Sequence, residues 1–421
     1  MLKNFLESFV RKLKISKRII KEEGVINFIK FIFVKIYYKN LKIFDNLKIK
    51  KLIVPFFEEL KKHNNILIII SGMKFDETVG NRSTYLSKEF YKKNYLILYV
   101  YFTWNKSEET QFGFLKNIKI FLIPLRIFLN NYLYILSNIN NKGKRILIIE
   151  APFKECFEIL SFANSFNFFT IYDIIDDWEE FNKVGQAIWY FKKFEDYLCN
   201  NSDLILTVSV GLYDKFNKYS PFLISNGFDV DAFNKNIPCK KIKKGKINIG
   251  YFGNLNSSWF DWDLIIKIAQ KEKDWIFHII GFGQPDILKL PMNIIIYGKV
   301  KHEELLSYAN NWDVAIIPFK NSLLSQNSDP IKLYEYLYIG KPIIVQGIKN
   351  IDNYPYVYIA ENLEEFIKLI KFAKEIKINK NILKKFLKDY TWTKKVEILE
   401  NLIEERYLNQ KIYLLLNKDI K

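Results

Sequence analysis

From residue 66 onward, short uninterrupted apolar runs alternate with longer stretches whose apolar positions recur every three or four residues. The first set of runs is "ILIII" (66–70), "YLILYVYF" (95–102), "RILIIE" (145–150), "FFTIYDII" (168–175) and "DLILTVS" (203–209). Continuous apolar runs of this length predict strands buried on both faces. Helical stretches between several of them, such as "STYLSKEFYKKN", would cover a parallel sheet. A Lys-rich polar break, "NKNIPCKKIKKGK" (234–246), interrupts the pattern, which then restarts. The second set is "INIGYFG" (247–253), "WIFHIIG" (275–281), "NIIIYG" (293–298), "VAIIPF" (314–319) and "PIIVQG" (342–347). The pattern predicts an α/β protein of two doubly wound, Rossmann-like domains. A ligand cleft is expected between the carboxyl ends of their strands. Domains are expected at 63–240 and 241–388, after a basic amphipathic helical extension (1–62) and before closing helices (389–421).

Composition narrows the function classes. The 421 residues are 49% hydrophobic and 17% aromatic, enough for large cores and unlike a disordered chain. Three widely spaced cysteines argue against a disulfide framework or structural zinc site, and three histidines limit histidine-based catalysis. The net charge of +18 is regional: residues 1–52 hold 14 Lys/Arg and 4 Asp/Glu. With only six arginines in the chain, an anionic membrane surface explains this segment better than nucleic acid does. No run of 18 apolar residues occurs, and the start lacks the form of a signal peptide. A cytoplasmic protein resting peripherally on the inner face of a membrane is expected.

The segment "DPIKLYEYLYIGKP" (329–342) carries the first candidate chemistry. Asp329 is expected to cap a helix, Pro330 suits its first turn and Gly340 its left-handed stop. Lys332 then lies in the first turn, where the helix dipole disfavours a cation by a few tenths to about 1 kcal/mol. A phosphate at the helix N-terminus would remove that conflict. Glu335, one turn on, has two acceptor oxygens suited to a vicinal diol. An ordinary surface helix is the plain alternative.

The same segment, continued through "PIIV", resembles the nucleotide-sugar site of bacterial GT-B glycosyltransferases of the family 1/4-like type. "LTVS" with "SNGFDVDAF" (225–233) resembles the end of their first domain, and "GYFGNL", "IIGFG" and "YGKVKHEEL" resemble successive loops of their second. "YTWTKKVEIL" resembles their closing helix, which crosses back onto the first domain. The resemblance spans about residues 66–405 and is densest over 203–346. It implies transfer of a sugar from a nucleoside diphosphate-sugar, with a UDP-sugar expected, to a growing bacterial surface glycan or lipid-linked glycan. Lys332, with Pro330 and Ile331 at the helix start, would meet the diphosphate, and Glu335 the ribose. Gly253 would allow close backbone approach, Asn254 would donate to phosphate, and the loop at Lys299 and Val300 would read the nucleobase. No metal or cofactor is expected.

The chain departs from many retaining relatives at Asn327, where they carry a glutamate that contacts the donor sugar. The spacing "DPIKLYEY" resembles instead a branch with teichuronic-acid-type transferases and, more distantly, the xanthan glucuronosyltransferase. In the first domain, Gly80 and Arg82 of "SGMKFDETVGNRSTYL" (71–86) form either an acceptor or phosphate loop or a surface loop. In "YDIIDDWEEF" (172–181), Asp177, slightly ahead of Asp176, is the candidate catalytic base of an inverting transfer. Helix capping is the alternative role for either aspartate. A nucleotide-sugar 2-epimerase, a non-catalytic partner subunit of the same fold and a nucleic-acid binder are the competing functions. Donor turnover without acceptor, absence of donor binding, and salt-dependent nucleic-acid affinity respectively separate them.

Overall fold

A computed structural model describes residues 46–76, 80–233, 238–286 and 289–416. The ten apolar runs all become strands of two sheets. The first sheet contains β1 (Asn65–Ser71), β2 (Tyr95–Tyr101), β3 (Gly113–Phe114), β4 (Ile120–Pro124), β5 (Arg145–Ile149), β6 (Phe169–Ile174), β7 (Leu204–Thr207) and β8 (Phe222–Leu223). Their order is β3-β4-β2-β1-β5-β6-β7-β8, with every pair parallel except β3 with β4. The second sheet contains β9 (Asn248–Asn254), β10 (Ile276–Phe282), β11 (Ile294–Ile296), β12 (Val314–Pro318), β13 (Ile343–Gln346) and β14 (Val357–Ile359). Its order, β11-β10-β9-β12-β13-β14, is parallel throughout.

The strands lack polar alternation because both faces of each sheet are covered. Along β1, Ile66, Ile68 and Ile70 join one apolar layer while Leu67 and Ile69 join the opposite one. Helix α1 (Asn46–Leu60) packs in the first layer through Ile53, Phe56 and Leu60, all buried. The expected boundary at 62/63 therefore shifts: the second half of α1 belongs to the first body, because its apolar face is needed to close that layer. Residues 1–45, which hold most of the basic segment and its expected membrane contact, lie outside the described residues. Among the described residues no helix is long and apolar enough to cross a membrane.

Three further helices shape the cleft. They are α2 (Arg82–Lys92) after β1, α3 (Trp178–Lys183) after β6 and α4 (Ile331–Ile339) before β13. Helix α5 (Trp392–Leu416) closes the chain. It places Trp392, Val396, Leu399 and Ile403 at helical spacing into the second layer of the first body. Each full burial of this kind contributes about 1.5–3 kcal/mol, so α5 is anchored to the first sheet although it follows the second. The chain thus passes between the bodies twice. The two passages touch: Phe228 N donates to Tyr390 O (2.9 Å) and Trp392 N to Phe228 O (3.4 Å), with Phe228 and Thr391 in a parallel bridge.

Candidate active site

Helix α4 begins in the way that favours an anion. Its N-cap is Pro330, which offers no side-chain acceptor, and Gly340 (φ 80°) stops it in the left-handed region. The expected cap, Asp329, is used elsewhere, which corrects the sequence expectation. Its carboxylate accepts from Asn226 N (2.5 Å) and from Tyr334 Oη (2.7 Å). Asn226 Nδ2 in turn donates to Asp329 O (2.7 Å). Asp329 therefore ties α4 to the first body and leaves the first-turn amides uncapped.

Lys332 extends from that turn over the end of β9. Its Nζ lies 3.2 Å from Tyr251 Oη and 4.9 and 5.1 Å from the ring centroids of Tyr251 and Phe319. A Cβ on Gly253 (φ 142°) would stand 2.6 Å from Lys332 Nζ, so a side chain there would displace the ammonium from this seat as well as strain the backbone. Burial lowers the Lys332 pKa to about 8, against the opposing pull of Glu335. An anion at this point would restore the charge that burial disfavours.

Glu335 is buried and does not stand alone. Its Oε1 pairs with His302 Nε2 at 2.6 Å. Burial works against protonation of this imidazole, but the Glu335 carboxylate prevails and the His302 pKa is raised. One carboxylate oxygen is thus committed to the protein and the other remains for a ligand. Sequence reading passed over His302; its only local signal was a histidine at the start of the helix in "YGKVKHEEL".

These groups surround a cavity of about 510 Å³ between the carboxyl ends of the two sheets. Gly80, Arg82, Asp176, Gly253, Asn254, Lys299, Val300, Pro330, Ile331, Lys332 and Glu335, all singled out above, line it. Asn254 Oδ1 accepts from Asn256 N (3.0 Å), fixing the side chain at the strand end. Lys299 Nζ stands 3.5 Å from Asp76 Oδ2, across the cleft, and 5.6 Å from the Phe282 ring centroid.

The two aspartates after β6 divide. Asp177 caps α3, accepting from Glu180 N (3.2 Å), and its carboxylate is held by Lys215 Nζ (2.6 Å) and Asn327 Nδ2 (2.7 Å). It does not line the cavity. Asp176 does, and burial together with the neighbouring Asp177 raises its carboxyl pKa to about 7. The geometry therefore reverses the slight preference for Asp177, because the cap and the ion pair occupy that carboxylate. Asn327 is turned to the first body, its Oδ1 against Gly211, where a Cβ would be 2.2 Å away.

Arg82 is not a guanidinium left open for a phosphate. It is buried, with Nε and Nη2 forked onto Asp173 (2.7 and 3.1 Å) and Nη1 on Asn226 Oδ1 and Ser225 O (3.3 and 3.4 Å). Beneath it, Glu150 at the end of β5 accepts from Ser83 Oγ. Burial and the nearby Asp173 raise the Glu150 pKa to about 8.

Sucrose-phosphate synthase from Thermosynechococcus elongatus has a TM-score of 0.63 to this structure at 11% identity, covering 82% of this chain and 100% of that one. The lipopolysaccharide outer core galactosyltransferase WaaB has a TM-score of 0.55 at 14% identity, covering 81% and 99%. The chain has the GT-B fold. No family model matches it. A Bacillus subtilis protein, TuaH, described as a candidate teichuronic acid biosynthesis glycosyltransferase, is 30% identical over 152 residues. That match covers 34% of this chain and 38% of the relative, well under half of either. In GT-B terms, the cavity is the cleft between the two domains and α4 is a second-domain helix aimed into it.

The Arg82 geometry makes a measurable distinction. Arg82→Met would leave Asp173 buried without its cation, costing about 3–5 kcal/mol. Lys61→Met removes only the exposed pair with Glu58 and should cost about 0–1 kcal/mol. Calorimetric melting should show a large drop for the first variant alone. Equal melting of both would return Arg82 to the groups available for a ligand.

Proposed function

We propose that this protein is a glycosyltransferase that moves a sugar from a nucleoside diphosphate-sugar to a hydroxyl of a growing bacterial surface glycan, with inversion at the anomeric carbon. The observation that carries this reading is the seating of Lys332 over Gly253 beside the uncapped start of α4. A buried ammonium and first-turn amides converging on one cavity form a diphosphate site, and Glu335, one turn later, offers its remaining oxygen to a ribose hydroxyl. This reading meets the diphosphate charge without a metal ion. The partial likeness to TuaH and the GT-B fold support the reading.

In the proposed step, the acceptor hydroxyl oxygen attacks the anomeric carbon. The bond from that carbon to the diphosphate breaks, and the bonding pair leaves with the diphosphate held by Lys332. The hydroxyl proton passes to Asp176, which stands on the first-domain side of the cavity. A carboxyl with a pKa near 7 is suited to this exchange at neutral pH. His302 holds Glu335 in place and touches no reacting atom. The basic residues 1–52 would keep the enzyme at an anionic cytoplasmic membrane face, where a lysine contributes about 1 kcal/mol.

Three outcomes test the reading. Lys332→Ala should weaken nucleoside diphosphate far more than nucleoside, whereas Glu335→Ala should weaken both. Unchanged nucleotide affinity by calorimetry in both variants would remove the donor assignment. For the base, turnover should rise with pH and level off above about 7, because only ionised Asp176 accepts a proton. Asp176→Asn should lose about 10²–10⁴-fold in turnover with donor affinity kept. A retained anomeric configuration in the product, read by NMR, would end the base role. Finally, the full chain should sediment with anionic vesicles and not with neutral ones; equal sedimentation would dismiss the membrane seat.

A further inference from the structure

A second cavity lies outside the cleft, where the two bodies and the closing helix meet. It encloses about 320 Å³. Its walls are the ends of β7 and β8, the segment before α4, the turn after β13, and the first two turns of α5.

Lys395 enters this cavity from α5. The residue is 7% exposed, and its Nζ lies 4.3 Å from the Tyr390 ring centroid. Among the described residues it has no hydrogen-bond or ion-pair partner. Asp329, which also lines the cavity, is the acid acting most strongly on it, but no Asp329 oxygen lies within ion-pair distance, and the two oxygens accept from Asn226 N and Tyr334 Oη. Burial holds the Lys395 pKa near 8. A largely buried ammonium beside a ring, with no acceptor within hydrogen-bond reach among the described residues, is an incomplete arrangement. Ser225 and the exposed Lys349 and Asn350 share the wall, and their side chains have no hydrogen-bond partner among the described residues. All four open groups can donate, and two are cationic. Val208, Leu223, Ile351 and Ile398 make the remaining wall apolar.

We propose that this cavity is a second binding site, for the phosphate group of a small molecule, held by Lys395 with Ser225, Asn350 and the rim residue Lys349. A tetrahedral oxyanion accepts from more donors at once, and more strongly, than a carbonyl or a single water, each limited to two. The apolar wall and the volume leave room for a short organic part. Because the walls come from both bodies and from α5, an occupant would join them. The site is independent of the donor assignment.

Calorimetry on the full chain, with inorganic phosphate and with glycerol 3-phosphate, tests this. Binding should persist in Lys332→Ala, which removes the cleft cation. It should weaken by about tenfold or more in Lys395→Met, the loss expected for one charged hydrogen bond. Lys395→Arg should restore it. Lys349→Ala, at the exposed rim, gives a second reading if Lys395→Met fails to fold, and should also weaken binding. Tighter binding of glycerol 3-phosphate than of inorganic phosphate identifies an organic phosphate as the occupant; equal affinity identifies the free ion. The proposal is overturned if neither probe binds the wild-type chain at millimolar concentration. Unchanged affinity in both Lys395→Met and Lys349→Ala overturns it too, as does loss of binding in Lys332→Ala alone.

Discussion

The two-point contact between Asn226 and Asp329 sets the geometry on which the rest of the cleft depends. Asp329 accepts the Asn226 amide with its carboxylate, and its own carbonyl accepts the Asn226 side chain. Through Asn226 Oδ1 the path continues to Arg82 and then to Asp173 within β6. A buried group left without its partner costs about 1–3 kcal/mol, so each link resists displacement. The start of α4 is thereby fixed relative to the first sheet, and Lys332 and Glu335 are set across the cavity from Asp176. Joining the bodies also withdraws the one carboxylate that could have capped α4. One residue thus both positions the helix and leaves its amides open.

The surroundings of Lys332 carry the same logic to its side chain. Ordinary burial would make a lysine a poor choice, and its depressed pKa records that cost. The two aromatic rings and the missing Cβ at Gly253 make room for the ammonium without neutralising it. Glu335, which could have formed a direct ion pair with it, is drawn to His302 instead. Positive and negative groups one turn apart are held separate by the partners each is given.

How much of this could be read from the chain depended on whether a signal was local. Ten strands were visible because each apolar run had polar or helical punctuation on both sides. Strand β4 was not, since "IFLIP" runs without a break into the apolar helix Leu125–Ser137, and β14 is an edge strand of three residues. Lys332 was visible because a cation in a first helical turn violates a local preference. His302 and Arg82 were not assigned their partners, which lie 33 and 91 residues away. The aspartate pair was found as a pair, but which carboxylate faces the cavity turns on where β6 ends, and periodicity does not resolve a single residue. The expected cap at Asp329 failed for a related reason: the competing partner, Asn226, is distant in sequence.

The paired passages at Phe228 and Thr391 have a mechanical consequence. Two separate connections would form two pivots, and bodies joined at two pivots can neither twist nor open freely. Here the outgoing and returning segments are hydrogen-bonded side by side, so they bend together as one narrow ribbon. A ribbon flexes readily across its thin direction and resists shear along its width. At this crossing the paired segments therefore favour one rotation over twist or shear, and the Asn226–Asp329 contact beside them holds the cleft at its present width.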